Sequence, residues 1–255
     1  MADWQTALET VAAAYARGTL EKDARTISEA YRLKTGEGRR LLTRKSEAAA
    51  YALSRMPATV EAAKAALTEA LAATGLAPKT LLDCGAGTGA VTFAADALLG
   101  LERATCLERE TAMRAVGQQL MREAGGVQAE WAACDLTAKE PLPRAGLVCE
   151  GYMLGELEAS MRLHVAGKLW DACEQMLVLI EPGTPQGFAN LRAVREALTG
   201  RGAYVAAPCP EGSTACPMTG ITGATLPSAC SGRGCIRRSR VATRRMRTKN
   251  SPIWF

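Results

Sequence analysis

The sequence has no apolar run approaching the roughly 20 residues that span a bilayer. Its longest aliphatic stretches, such as Met176-Leu177-Val178-Leu179-Ile180, are strand-sized. The N-terminus lacks a basic segment followed by an apolar core, so nothing points to secretion and a soluble protein without membrane association is expected. Histidine is almost missing: His164 stands alone on a predicted helix without a motif partner, and reads as structural. No internal repeat is present. Acidic residues are absent from 221 to 255, where eight Arg or Lys stand. The other 23 basic residues are outnumbered by 26 acidic ones, so the net charge of +5 belongs to the tail and does not mark the body as a nucleic-acid binder.

What is present suits one sizeable α/β domain with a helical attachment. The chain has 255 residues, of which 48% are hydrophobic, enough for a core that needs no disulfides. Of nine cysteines, Cys84, Cys106, Cys134, Cys149 and Cys173 fall in or beside predicted strands and helices and read as buried thiols. Cys209, Cys216, Cys230 and Cys235 cluster toward the C-terminus. Residues 1–75 show helical spacing (Leu8, Val11, Ala12, Tyr15; Leu41, Ala48, Tyr51, Ala52) broken at Gly18, Gly36, Gly38 and Pro57, which predicts three or four helices. Residues 76–210 alternate short β-rich runs with amphipathic stretches, the mark of βαβ units and a parallel sheet. The runs are Thr80 to Cys84, Ala104 to Leu107, Ala129 to Ala133, Gly146 to Cys149, Met176 to Ile180 and Ala203 to Ala206. Residues 211–255 have no apolar periodicity and read as an irregular tail.

The first strand ends in Asp83 and is followed by Gly85-Ala86-Gly87-Thr88-Gly89 and a helix-like segment. Glycines there let the backbone turn sharply beneath a ligand and offer it N–H groups at the carboxyl ends of the strands. The spacing also satisfies the looser dinucleotide pattern, so an NAD-dependent oxidoreductase stays open. Asp83 favours S-adenosyl-L-methionine, because a carboxylate attracts the ammonium of a methionine moiety and repels a pyrophosphate. Glu108 ends the second strand, 19 residues beyond Gly89, where an acid accepts hydrogen bonds from ribose hydroxyls. Asp135, after the third strand, is a candidate for the adenine amino group. The fold expected is a Rossmann-like class I S-adenosylmethionine-dependent methyltransferase sheet with an N-terminal helical region.

The fourth strand leads into Glu150-Gly151-Tyr152-Met153-Leu154-Gly155-Glu156-Leu157, where such enzymes keep residues facing the methyl acceptor. Tyr152 is a candidate to stack on a base, and Glu150 or Glu156 to take a proton. The segment is not the Asn/Asp-Pro-Pro-aromatic motif of enzymes that methylate amino groups, and Tyr152 and Leu154 also suit a simple core cap. Glu181-Pro182-Gly183-Thr184-Pro185-Gln186-Gly187-Phe188 predicts a rigid turn bordering the acceptor pocket, with a helix from about Asn190. Cys209 stands in the wrong place, after the sixth strand, to be a cytosine-attacking thiolate.

Together with Tyr51-Ala52-Leu53-Ser54-Arg55-Met56-Pro57-Ala58-Thr59 and the paired elements Pro208-Cys209-Pro210 and Cys216-Pro217, these blocks resemble one family. It is the methyltransferase-like proteins associated with small-ribosomal-subunit assembly in mitochondria, which has bacterial members. The resemblance covers roughly residues 40 to 220. It implies a role on ribosomal RNA or the nascent small subunit, either as a methyltransferase or as a non-catalytic assembly factor that keeps the cofactor fold. It also implies a 4Fe-4S cluster held by four cysteines, Cys209 and Cys216 being the first two. A monomer is expected, in the cytoplasm or, in a eukaryote, the mitochondrial matrix.

Relatives continue after the second Cys-Pro with Trp-Cys-His-Phe, whereas this chain reads Thr219-Gly220-Ile221-Thr222-Gly223. One synonymous codon choice for Thr222 to Ala229, read one nucleotide back, spells Trp-Cys-His-Phe-Ala-Val-Arg. Arg245 to Trp254 similarly allows an acidic, aromatic stretch. Translation out of frame from about residue 221 is therefore expected, with Cys230 and Cys235 accidental and the final antiparallel strand of the sheet lost.

Overall fold

The computed structural model describes residues 3–32, 42–207, 239–240 and 251–254. Three helices come first: α1 (Trp4–Ala13), α2 (Arg17–Arg32) and α3 (Lys45–Thr74). Asp3 caps α1 by accepting from the Thr6 N–H, and Trp4, Ala7, Leu8 and Val11 form its buried stripe. Glu47 fixes the start of α3, its Oε2 accepting from the N–H groups of Thr43 and Arg44 at 2.9 and 2.8 Å. Gly75 stops α3 in the left-handed conformation, at φ 65°, and donates its N–H to the Leu71 carbonyl.

One expected helix break is not a break, and another is displaced, the interruption near Gly18 falling at residues 14–16 between α1 and α2. Pro57 lies inside α3, although an interior proline costs about 3 kcal/mol. The buried face on either side of it, including Ala48, Ala52, Met56, Val60, Ala63 and Leu67, keeps the helix continuous. Gly18 sits in the first turn of α2. Gly36 and Gly38 lie outside the described residues.

The sheet contains β1 (Thr80–Cys84), β2 (Arg103–Leu107), β3 (Ala129–Ala132), β4 (Ala145–Gly151), β5 (Cys173–Pro182), β6 (Ala203–Ala207), β7 (Ser239–Arg240) and β8 (Ser251–Trp254). Its order is β3-β2-β1-β4-β5-β8-β6, with β7 paired antiparallel to β5 off that path. The other ladders are parallel, with Leu82 registered against Thr105 on one side and Val148 on the other. This is the doubly wound, Rossmann-like class I arrangement expected from the sequence. Chain order reverses between β1 and β4, so the carboxyl ends of these two strands flank the crevice where open sheets bind ligands. β4 and β5 read as nearly unbroken apolar runs because both faces are covered.

Between the strands lie α4 (Ala90–Leu99), α5 (Thr111–Ala124), α6 (Ala159–Ala172) and α7 (Pro185–Thr199). The N-terminal helices are not a separate lobe: α3 packs on α4 and α5, and α1 on α5, in one continuous apolar core with the strands. α6 and α7 pack together. Helix α7 begins earlier than expected, because Pro185 is pre-set for a first helical turn and the Thr184 Oγ1 caps it, accepting from the Gly187 N–H at 3.1 Å.

Cys84, Cys106 and Cys149 are buried free thiols, Cys173 is buried, and Cys134 is half-buried. His164 is exposed on α6. The irregular tail departs from expectation at β8, which occupies the slot between β5 and β6 but runs parallel to both. Its sequence belongs to the tail's uncharged end, and backbone groups between two strands require partners. Among the described residues, no helix is long and apolar enough to cross a membrane.

Candidate functional site

The glycine turn joins β1 to α4 through three left-handed residues, Gly85 (φ 70°), Gly87 (φ 57°) and Gly89 (φ 91°). A side chain at Gly85 would place its Cβ 3.1 Å from that of Met153, and one at Gly89 would lie 2.6 Å from the Met121 Cε. The turn does not hold out all its N–H groups to a ligand, as the sequence suggested. Gly85 and Ala86 donate to the Leu107 carbonyl, and Gly89 donates to that of Ala86. The Gly87 N–H donates to Glu108 Oε2 at 2.9 Å, while Glu108 Oε1 accepts from the Glu110 N–H at 2.7 Å. Glu108 thus ties the turn to the end of β2. Burial raises its carboxyl above the ordinary carboxylate range, and these two bonds partly oppose that.

Asp83 lies beneath the turn and is 1% exposed. Its Oδ2 accepts from both the N–H and the hydroxyl of Thr92, at 3.1 and 2.7 Å, which anchors the first turn of α4. Its Oδ1 is buried without a hydrogen-bond partner. Burial pushes the carboxyl up to about 6, against the lowering effect of the Thr92 bonds. Ala86 and Thr88 are buried in the turn, the Thr88 hydroxyl reaching Met56 Sδ of α3 at 3.8 Å.

Two clefts open over the carboxyl ends of the strands. The first, about 170 Å³, is lined by Gly85, Gly87, Glu108, Asp135, Tyr152 and Glu156 among others. The second, about 570 Å³, runs between α3 and the start of α7 and is lined by Arg55, Thr59, Glu181, Thr184, Gln186 and Asn190 among others. Tyr51, Tyr152 and Glu156 border both. Asp83, Ala86, Thr88, Gly89 and Glu150 border neither. At the far side Asp135 accepts from the N–H and hydroxyl of Thr137, which hold its carboxyl below the usual range.

Among the described residues, Tyr152 is the one non-glycine with positive φ, at 68°. Such a backbone is costly for a bulky residue and persists where its surroundings fix it. Here the Tyr152 N–H donates to the Ile180 carbonyl. Burial first, then the charges of Glu181 and Glu150, push its phenol up.

The three acceptor-side candidates separate. Glu156 is open to the clefts, and burial, with the nearby Glu108 charge, raises its carboxyl. Glu150 is fully buried: its Oε1 accepts from the N–H groups of Met153 and Leu154 at 2.6 and 3.0 Å, and its Oε2 has no partner. As a base open to an acceptor Glu150 is therefore ill-placed; it shapes the 152–157 segment from below. Glu181 is the residue that sequence reasoning missed. Its Oε1 accepts from the Gly155 N–H at 2.8 Å, and burial pushes its carboxyl up to about 7. The available signal was an acid closing a five-residue apolar run just before Pro182-Gly183.

Cys209 and Cys216, like Cys230 and Cys235, lie outside the described residues. Among the described residues no cluster of three or more His, Cys, Asp or Glu could hold a metal ion.

Four of the blocks that carried the resemblance thus converge on the two clefts, the α3 segment from Tyr51, the glycine turn, the loop after β4 and the turn after β5, while the paired Cys-Pro elements lie outside the described residues. A family profile described as mitochondrial small ribosomal subunit Rsm22 matches residues 45–251. The human mitochondrial ribosome assembly protein METTL17 is 31% identical over an alignment of 158 positions that covers 55% of this chain and 34% of that protein. The aligned part thus spans about a third of that relative's length. Among solved structures, human N-acetylserotonin methyltransferase in complex with S-adenosylmethionine aligns at 18% identity and a TM-score of 0.44, over 54% of this chain and 38% of that one. Magnesium protoporphyrin IX methyltransferase from Synechocystis aligns at 17% and 0.45, over 56% and 73%. The family profile and the human relative lend the oxidoreductase alternative no support. With a profile match over most of its length, the chain belongs to the mitochondrial small ribosomal subunit Rsm22 family.

Proposed function

We propose that this chain is a methyltransferase-like factor of small-ribosomal-subunit assembly, binding S-adenosyl-L-methionine in the first cleft and an RNA acceptor in the second. The observation that carries this reading is that the two clefts meet at Tyr51, Tyr152 and Glu156, so that ligands held in each would adjoin. The first cleft suits the cofactor chemically. It offers side-chain-free backbone at Gly85 and Gly87 and carboxylates at Glu108 and Asp135, and Asp83 keeps an unpartnered oxygen behind the turn.

When bound, the cofactor would supply an electrophilic methyl group. Glu108 would accept from the ribose hydroxyls and Asp135 from the adenine amino group, while Asp83, which borders neither cleft, would draw the ammonium only by its charge from behind the turn. On the acceptor side, Tyr152 would stack on a base and Glu156 would take a proton. Much of the acceleration then comes from holding the acceptor in line.

The finer features of this reading are a monomer, a location in the mitochondrial matrix of a eukaryote or the cytoplasm of a bacterium, and a 4Fe-4S cluster begun by Cys209 and Cys216. The cluster rests on the resemblance, and no step above passes through it. The division at residues 75 and 210 is likewise a proposal.

A second reading, a non-catalytic assembly factor that keeps the cofactor fold, is favoured by the sealed position of Glu150 and by a first cleft below the roughly 300–1,000 Å³ of ordinary ligand pockets. Calorimetry with S-adenosylhomocysteine and with NAD tests the cofactor. Tritiated methyl transfer to immature small subunits then separates the readings: binding with transfer supports the first, binding without transfer the second, and failure to bind the nucleoside at millimolar levels sinks both.

A further inference from the structure

Glu150 and Glu181 stand on one face of the sheet at the ends of neighbouring strands. Glu150 is registered against Leu179, and Glu181 is two residues further along β5, so both side chains leave on the same side. Both are at most 1% exposed. Between them they take three consecutive N–H groups of the next segment, Glu150 those of Met153 and Leu154, Glu181 that of Gly155. The opposite polarity is held from α6, where the Arg162 guanidinium donates to the Leu154 and Leu157 carbonyls. This clamped segment begins with the left-handed Tyr152 and carries Glu156, the two residues shared by both clefts from this side.

We propose that Glu181 is a positioning residue: it sets the place of Tyr152 and Glu156, and hence the common wall of the two clefts, by holding the Gly155 N–H. The inference deepens the function proposed above and rests on it for its consequence, but not for its geometry. Gly155 is suited to the contact, since a Cβ there would lie 2.7 Å from Glu181 Oε2 and push the carboxylate away.

Two acids this close do not both ionise readily. Burial first, then the Glu181 charge, raises the Glu150 carboxyl well above the ordinary range. Burial pushes the Glu181 carboxyl up to about 7, against the lowering effect of the Gly155 bond and the Arg162 charge. The groups around it are Glu150 of β4, Tyr152 and Glu156 of the following loop, Arg162 of α6 and Arg55 of α3, which lines the same cleft. An ionised carboxylate is the stronger acceptor, so the Gly155 bond should strengthen as pH rises through 7.

The test is the backbone amide resonance of Gly155 in the full chain, followed from pH 5.5 to 8.5 without added ligand. We expect it to move downfield with a midpoint near 7 in the wild type and to be pH-independent in Glu181→Gln, with the Met153 and Leu154 amides unmoved by that variant. Gly155→Ala should abolish the titrating hydrogen bond by displacing the same carboxylate, seen as an amide at position 155 that lies upfield and stays flat with pH. A wild-type Gly155 amide that does not titrate, or a titration that survives Glu181→Gln, would overturn the proposal, and the wild-type arm needs no variant to fold. In calorimetry, Glu181→Gln should weaken S-adenosylhomocysteine binding at pH 8 several-fold more than at pH 6. A nucleoside that never binds would sink the cofactor reading and leave the amide result standing, whereas a titrating amide with binding equally weakened at both pH values would overturn the link from Glu181 to the cleft wall.

Discussion

Replacing Asp83 by asparagine should change stability in a way that depends on pH. The wild-type carboxyl is pushed up to about 6 from an ordinary 3.8, chiefly because it is buried. A group that holds its proton more tightly folded than unfolded stabilises the fold at low pH. That contribution is lost as pH rises from the unfolded value to the folded one, and levels off above about 6. One unit of pKa corresponds to about 1.4 kcal/mol, so the wild type carries a burial cost on the order of 3 kcal/mol above pH 6 that is partly relieved at pH 5. Asparagine does not titrate. Whatever fixed penalty its amide incurs beside Thr92 is common to both conditions and cancels when they are compared. Relative to wild type, Asp83→Asn should therefore gain about 1.4 kcal/mol between pH 5 and pH 8, or about 3–6 °C in Tm for a chain of this size. Thermal or urea unfolding of both proteins at the two pH values measures this directly. A stability difference that is the same at pH 5 and pH 8 would refute the claim that Asp83 is a buried carboxylate kept charged against its surroundings. The same variant should lose affinity for a methionine-bearing nucleoside, which would make Asp83 a residue retained at the expense of stability.

Gly89→Ala combines a positive φ with a 2.6 Å approach to Met121, and should cost about 1–3 kcal/mol in urea unfolding; unchanged unfolding would show that the turn relaxes. Glu108→Gln keeps a neutral acceptor for one N–H but removes the charge offered to ribose, so calorimetry should show affinity for S-adenosylhomocysteine reduced about tenfold. Glu150→Gln should leave unfolding and any methyl transfer nearly unchanged, whereas Glu150→Ala, stripping the acceptor from two buried N–H groups, should destabilise by about 2–4 kcal/mol; loss of transfer in a well-folded Glu150→Gln would restore its candidacy as a base. Independent reads of the gene across the Ile221 codon should reveal a shifted frame, and one intact frame would dispose of the out-of-frame reading of the tail.

The strands were legible because a sheet covered on both faces writes itself as short apolar runs, and β1 begins and ends where its run does. Helix ends were less so. Thr184-Pro185 is a cap followed by a first-turn proline, but next to Pro182-Gly183 the same letters also describe a turn, and the sequence alone favoured the turn. Pro57 misled in the other direction, since local propensity says stop and only burial against the core says continue. In the site, Gly85, Gly87, Glu108 and Asp135 were readable from their places after strands. What could not be read was depth: Glu150 and Glu156 are both acids six residues apart, and one is sealed while the other faces the clefts. Glu181 escaped for a related reason, because its partner is an N–H 26 positions away and the acid that closes the apolar run of β5 says nothing of that contact.

Met56 of α3 sits under Thr88, so the first 75 residues reach the floor of the glycine turn itself. Cutting the chain at Pro78 to isolate the sheet would strip α4 and α5 of their cover and lay bare the strip from Ala48 to Ala70 that no solvent now touches. The division proposed at residue 75 marks a change of rhythm along the chain, while α3 before it shares one apolar core with the strands after it. Any minimal fragment meant to retain a nucleoside pocket has to start upstream of Lys45.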